Sequence, residues 1–525
     1  MTVDPISLEV FRNLFASVAE EMGVTLQRAA FSPNIRERLD YSCAVFDREA
    51  RMVAQAAHIP VHLGSMPASV RNAIMAFDSI GAEDVIVLND PYRGGSHLPD
   101  ITMVSPVFVD GVAVFYVASR AHHADVGGMS PGSLPLSIEL YQEGIVIPPI
   151  KLIENGKRNA AALALITSNS RAPGERLGDL EAQLAAHRVG ARRLNDLIDK
   201  HGLARVESHA VALMDYAQRV TESVVESIPD GAYTFTDYLE GDGQTDADIP
   251  ISVKITVEGQ SMTVDFDGTS PTVPGNVNTV VANVESATWY CVRLLANEDI
   301  PVNDGAFRPV RVVVPPHSLL NPDFPAAVAV GNTETSQRIT DVVLGALTLA
   351  LPDRIPAASQ GSMNNLTIGG KTASGRAFVY YETIGGGAGA FRGGDGISGR
   401  HSHMTNTRNT PTETIEYALP FRVTAYTRRN NSGGAGQWVG GDGVRRVFEF
   451  AAPVTVTLNT ERRRKQPYGT SGGGPGESGQ NHLIRQGETI DLGGRWTGQL
   501  LPGDTLIVKT PGGGGWGDPS ITTPV

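Results

Sequence analysis

Val85-Ile86-Val87-Leu88-Asn89-Asp90-Pro91-Tyr92-Arg93-Gly94-Gly95-Ser96-His97-Leu98-Pro99-Asp100 begins as four consecutive apolar residues and ends as a polar loop. A short apolar run bounded by turn formers reads as a buried strand, and Asn89-Asp90-Pro91-Tyr92 supplies the break that ends it. The arrangement returns at Val112-Ala113-Val114-Phe115-Tyr116-Val117-Ala118, which runs into Ser119-Arg120-Ala121-His122-His123-Ala124-Asp125-Val126-Gly127-Gly128. Two predicted strands therefore each deliver imidazole and carboxylate groups at an end. This texture, from about Arg36 to Ala124, sets the N-terminal part as mixed α/β.

Outward from this stretch the hydrophobic period changes. Phe11, Leu14, Phe15, Val18, Met22 and Leu26 recur at spacings of three and four, which predicts a helix from Pro5 to about Arg28. A second helix is expected to open near Gly174 with Leu177, Leu180, Leu184, Ala191, Leu194 and Ile198 on one face and Gly202 at its C-terminal end. A third is predicted over Ser208–Ser227. After Pro229 the period is two: Ile251, Val253, Ile255 and Val257 lead to Glu258-Gly259-Gln260, and Met262, Val264 and Phe266 lead away, a hairpin pattern. From about Gly361 short β runs alternate with glycine clusters such as Gly385-Gly386-Gly387, Gly433-Gly434 and Gly512-Gly513-Gly514-Gly515, expected as turns between strands. The fold class is α+β. Residues 1–170 form an α/β part carrying the candidate site, 171–228 a helical segment, 229–360 a mixed α/β block and 361–525 a β-rich, glycine-rich block. No internal repeat of fixed period is present.

At 525 residues the chain exceeds one ordinary core, so several packed units are expected. A net charge of −13 argues against nucleic acid as the main partner, because phosphate binding needs a clustered cationic face. The one basic run, Arg462-Arg463-Arg464-Lys465, reads as a solvated loop or an internal anion contact. Two cysteines, Cys43 and Cys291, are too few for a disulfide framework and are read as thiols in a reducing compartment. Met1-Thr2-Val3-Asp4-Pro5 lacks a cationic and then apolar leader, and no apolar run approaches the ~18 residues of a membrane span, so a cytoplasmic protein without membrane contact is expected.

A divalent ion requires three or four N or O donors converging at about 2.0–2.2 Å, with a free position where the site is catalytic. His97, Asp100 and His122 meet that need, and Asp40 in Arg38-Leu39-Asp40-Tyr41-Ser42 can complete the set. His123 or Asp125 then serves as a proton carrier or as a support for a ligand imidazole. His58 and His62, separated by a proline and without neighbouring carboxylates, read as pocket wall or as internally satisfied histidines. Other signatures fail. Gly369-Gly370-Lys371-Thr372 lacks the earlier glycine of a phosphate-binding loop, since Asn365 stands there. No Gly-x-Ser-x-Gly elbow lies between a strand and a helix, and Cys43 has no helix N-terminus to activate it.

The chain resembles the hydantoinase B/oxoprolinase family, which includes the large subunit of acetone carboxylase. The resemblance rests on Asp4-Pro5-Ile6, Glu37-Arg38-Leu39-Asp40-Tyr41-Ser42, Asn89-Asp90-Pro91-Tyr92, Gly94-Gly95-Ser96-His97-Leu98-Pro99-Asp100 and Ala121-His122-His123-Ala124-Asp125-Val126-Gly127-Gly128. Further matches are Glu143-Gly144, Gly178-Asp179-Leu180-Glu181-Ala182-Gln183, Pro301-Val302-Asn303-Asp304-Gly305, Gly331-Asn332-Thr333-Glu334-Thr335-Ser336-Gln337-Arg338 and Gly512-Gly513-Gly514-Gly515-Trp516-Gly517.

The resemblance implies divided labour. An A-type partner takes up ATP and Mg and phosphorylates a cyclic amide, and the B-type chain hydrolyses the activated intermediate. It also implies Asp40, His97, Asp100 and His122 as ligands of one divalent metal, with Zn, Mn, Fe and Co undistinguished. Phosphorylation of the amide oxygen removes the resonance that makes the carbonyl unreactive, and a bound ion supplies an activated water. The alternatives are a carboxylase subunit, which would fix bicarbonate, and a scaffold whose metal is structural and closed by protein ligands.

Overall fold

The computed structural model describes residues 4–56, 59–296 and 300–521. His58 lies outside them.

The first sheet has seven antiparallel strands: β1 Tyr41–Asp47, β2 Met52–Gln55, β3 Val85–Leu88, β4 Asp100–Val109, β5 Val112–His122, β6 Ile150–Glu154 and β7 Lys157–Arg158, in the order β2-β1-β5-β4-β3-β6-β7. Both faces are covered, which explains why its strands read as unbroken apolar runs. Along β3, Ile86 and Leu88 pack with Met66 and Val70 of the helix His62–Met75, whereas Val85 and Val87 face the opposite cluster with Leu180 and Leu184. The helix Pro5–Ala29 buries the predicted stripe, Phe11, Phe15, Val18, Met22 and Leu26, against Cys43, Val45 and Val117. Asp4 caps its first turn by accepting from the Ser7 N–H at 2.9 Å.

The helix Pro173–His201 lies beside it and ends at Gly202, whose φ of 81° is unfavourable for a side chain. The next helix, Leu203–Glu226, starts at once from that glycine, five residues before the expected Ser208. One glycine serves both as the stop and as the new start, so no polar linker marks the boundary.

The predicted hairpin is present as β9 Ile249–Glu258 and β10 Ser261–Asp265, within a sheet ordered β11-β10-β9-β8 that also contains β8 Gly231–Leu239 and β11 Val310–Val313. Its apolar face packs on the helices Val281–Leu294 and Ser336–Ala350. Two antiparallel sheets follow, of four and five strands, between Asn365 and Lys509. Gly369, Gly370 and Lys371 belong to a strand, Asn365–Lys371.

The glycine clusters differ from expectation. Many of their residues are not turns but segments laid backbone against backbone: Gly434 donates to the Gly513 carbonyl, Gly513 to Gly441 and Gly441 to Ala388, at 2.8–2.9 Å. A Cβ on Gly513 would come within 2.0 Å of the Ala388 oxygen, so close approach dictates glycine there.

The basic run is an internal contact over part of its length. Arg462 is buried and pairs with Asp237 and Asp341 at 2.6 Å each, while Arg464 pairs with Asp248 at 3.2 Å near the surface. Both cysteines are free and buried. Among the described residues no helix is long and apolar enough to cross a membrane.

Candidate functional site

Strand register builds the site. Asp100 is the first residue of β4 and His122 the last of β5, and the two are direct cross-strand partners. β1 begins opposite Ala121, so Asp40 adjoins His122, whose N–H donates to the Asp40 carbonyl at 3.0 Å. Three neighbouring strand ends thus place Asp40, His122 and Asp100 in one row at one end of the sheet. Because side chains alternate faces along a strand, the next residue, His123, turns away.

His97 arrives from the loop before β4. Its Nδ1 donates to the Ala329 carbonyl at 3.0 Å. A carbonyl can only accept, so that nitrogen carries the proton and Nε2 offers a lone pair. The Nε2 lies 3.1 Å from His122 Nδ1 and 3.2 Å from Asp100 Oδ1, and His122 Nδ1 lies 3.2 Å from the same oxygen. All three residues are buried. Bonds of about 2.1 Å to one ion separate neighbouring donors by about 3.0 Å in an octahedron and about 3.4 Å in a tetrahedron. The observed triangle falls between these values, and electron-rich atoms held this close require a cation or a proton among them. The residues present therefore fit a divalent ion.

The other carboxylate oxygen is tethered. Asp100 Oδ2 accepts from Ser96 Oγ and from Asn332 Nδ2 at 3.3 Å, and His62 Nε2 stands 3.5 Å away. Burial alone would raise the Asp100 carboxyl, but His97, His122 and His62 together hold it well below the carboxylate range. His97 is pulled down by burial and raised further by Asp100, ending above its ordinary value, whereas burial leaves His122 below it. His122 stacks on Tyr381 with centroids 4.6 Å apart, and its Nε2 is buried without a partner among the described residues.

Asp40 lies outside the three-atom group but lines the same small cavity, with His62, Asn332, Thr333, Tyr381, Thr405 and Thr407 on other walls. Its charge raises the proton affinity of both site imidazoles.

His123 and Asp125, expected to carry protons, are not brought to this cavity. His123 Nε2 contacts Gln183 Oε1 at 3.0 Å on the opposite face, and burial with Arg176 nearby depresses it to about 3. Asp125 accepts from the Arg171 guanidinium at 2.9 Å and from the Arg171 and Gly132 N–H groups, which fixes a loop.

His62 combines the two roles expected of it, wall and satisfied histidine: its Nδ1 meets Ser42 Oγ at 2.9 Å while its other nitrogen approaches Asp100. No local sequence signal marks that approach, since Ser42 and Asp100 are distant in the chain. Arg120 is a further contributor that sequence reasoning missed. Its buried guanidinium donates to Thr102 Oγ1 and Ser69 Oγ, at 2.9 and 2.6 Å, and to Ser65, so it fastens the helix His62–Met75 to the sheet beneath the site. Asn332 and Thr333 come from a π-helical turn, Gly331–Thr335, a backbone form frequent at functional sites.

The hydantoinase B/oxoprolinase family model matches residues 4–519. An uncharacterised protein of Methanocaldococcus jannaschii is 43% identical over 98% of this chain and 91% of its own length. The 5-oxoprolinase 1 of Arabidopsis thaliana is 41% identical over 98% of this chain, and the match spans 42% of that protein. The chain thus covers about two fifths of several curated relatives. A Pseudomonas protein provisionally named as the B component of a D-/L-hydantoinase is 32% identical over 98% of this chain and 90% of that protein. Among solved structures, the ATP-dependent caprolactamase from Pseudomonas jessenii superposes with a TM-score of 0.94 at 30% identity, covering 100% of this chain and 93% of that one. Acetone carboxylase shares the fold, with a TM-score of 0.92 at 17% identity over 99% of this chain and 76% of that one. With a family model spanning nearly all its length and relatives above 40% identity end to end, the chain belongs to the hydantoinase B/oxoprolinase family.

Proposed function

We propose that the chain is the hydrolytic subunit of an ATP-dependent cyclic-amide hydrolase, acting on a ring that a separate A-type subunit has phosphorylated with bound ATP and Mg. The observation that carries this reading is the buried triangle of His97 Nε2, His122 Nδ1 and Asp100 Oδ1, with sides of 3.1–3.2 Å. The names of the relatives, 5-oxoprolinase and caprolactamase, support a cyclic amide as the substrate class. A relative named as one component of a hydantoinase supports a partner.

In this reading His97, Asp100 and His122 hold one divalent ion and Asp40 completes the set from the cavity wall. Two imidazoles and two carboxylates suit Zn, Mn, Fe or Co. Such an ion, when bound, lowers the pKa of water and steadies negative charge on a carbonyl oxygen. The protein's own groups do the rest. Ala329 fixes the His97 tautomer, Asn332 and Ser96 aim Asp100, and His62 takes the proton-handling role expected of His123 and Asp125, because its imidazole lines the cavity and theirs do not.

The test is His97→Ala in the complex purified with its partner. The variant is expected to lose its metal and to drop in kcat/KM for ATP-dependent ring opening by at least about a hundredfold. A variant that keeps the ion and turns over at the wild-type rate overturns the assignment. The chain without a partner is expected to show no ATP-dependent ring opening, and labelled bicarbonate entering the product would favour a carboxylase.

A further inference from the structure

The cavity beside the His/Asp cluster is too small for a ring. It measures about 20 Å³, room for one water molecule. A cyclic amide occupies several times that volume, so the body of the substrate must rest elsewhere while its carbonyl carbon reaches the cluster. A second cavity of about 280 Å³ adjoins it, close to the lower end of small-ligand pockets at roughly 300 Å³. Ile59 lines both. So does one short segment: Thr405 and Thr407 face the inner cavity and Asn406, between them, the outer one. Ile59 and the segment 405–407 thus stand between the two cavities.

The chemistry of the outer cavity is specific. Pro60, Leu63, Leu294 and Val302 join Ile59 in an aliphatic wall, while Tyr290 and Arg293 on the same helix as Leu294, with Gln55 and Asn406, supply its polar groups. Aliphatic walls favour methylene groups, and amide side chains can hydrogen-bond another amide.

We propose that the outer cavity is the docking place for the aliphatic part of the cyclic amide, and that Ile59 is the partition past which the amide carbon reaches the His/Asp cluster. This inference rests on the hydrolase reading for the identity of the reaction but not for the existence of the binding place. Leu294 and Ile59 then set ring size: Leu294 closes the far wall and Ile59 the near one.

The experiment uses the complex with its partner, unsubstituted lactams of five to seven ring members, and two variants. Leu294 is 49% exposed, so Leu294→Trp fills the cavity without crowding the core. It is expected to lower kcat/KM at least tenfold for every lactam turned over. Ile59→Ala is expected to raise kcat/KM for the seven-membered ring relative to the five-membered one at least threefold. Ligand-observed NMR with the same lactams reads binding directly. A kcat/KM within twofold of wild type in Leu294→Trp overturns the docking place and leaves the hydrolase reading standing. If the wild type turns over no lactam yet binds one, and Leu294→Trp abolishes that binding, the hydrolase reading falls and the docking place stands. Neither turnover nor binding overturns both.

Discussion

His122 and His123 are neighbours in sequence with opposite fates. One sets its Nδ1 in the cluster 3.1 Å from His97 Nε2, and the other binds Gln183 across the sheet. His122→Asn is therefore expected to abolish metal retention, whereas His123→Asn is expected to keep its metal and at least about a third of wild-type kcat/KM, since no reacting group loses a partner. Elemental analysis with steady-state assays decides it, and equal loss in both variants would contradict the strand-face assignment. The pair also shows what single residues disclose. Dense His and Asp at strand ends marked His97, Asp100 and His122, because few other roles gather such groups. Which of two adjacent histidines faces the cavity depends on register, which is set by cross-strand pairing and is invisible in one segment. The approach of His62 to Asp100 was hidden for a related reason, the partners of this helical residue lying on two strands, β1 and β4.

At the scale of elements, the cluster depends on a loop that crosses from another part of the chain. Glu143 Oε1 accepts from the N–H groups of Val328 and Ala329 at 2.8 and 3.0 Å, and Ala329 in turn holds His97 Nδ1. Burial pushes the Glu143 carboxyl up to about 8, so near neutrality it is largely protonated and still offers that oxygen. Glu143→Ala leaves two buried N–H groups unpaired and is expected to weaken metal affinity about tenfold to a hundredfold, with Glu143→Gln restoring most of it. Competition with a chromophoric chelator measures both, and unchanged affinity in Glu143→Ala would contradict the relay. Helices with a clean stripe, such as Pro5–Ala29, and the hairpin β9–β10 were legible because one local period governs each. The π turn was not, because it is imposed by packing: a Cβ on Gly331 would lie 2.1 Å from the Asn278 oxygen. The glycine clusters misled for the same reason. Close approach and turn geometry both select glycine, and composition cannot separate them.

Across the whole molecule, buried charge ties the sheets together. Arg338 and Arg462 share Asp237 from β8 and Asp341 from the helix Ser336–Ala350, and Glu461 bridges Arg338 to Arg495. The cost of burying these ions is recovered only if every partner is present, so the network demands one arrangement of the middle and C-terminal parts. The Arg38 guanidinium, which donates to the Tyr381 carbonyl at 3.1 Å, joins the N-terminal sheet to the C-terminal strand behind His122. A site assembled from residue 40 to residue 407 thus belongs to the assembled fold. The most direct test is to remove and restore the ion in the complex with its partner. The wild type is expected to carry about one transition-metal ion per chain, to lose ring-opening activity when a chelator strips it, and to regain activity in proportion to metal returned. Full activity in a complex shown to be metal-free would contradict the claim that His97, Asp100 and His122 work by holding a cation.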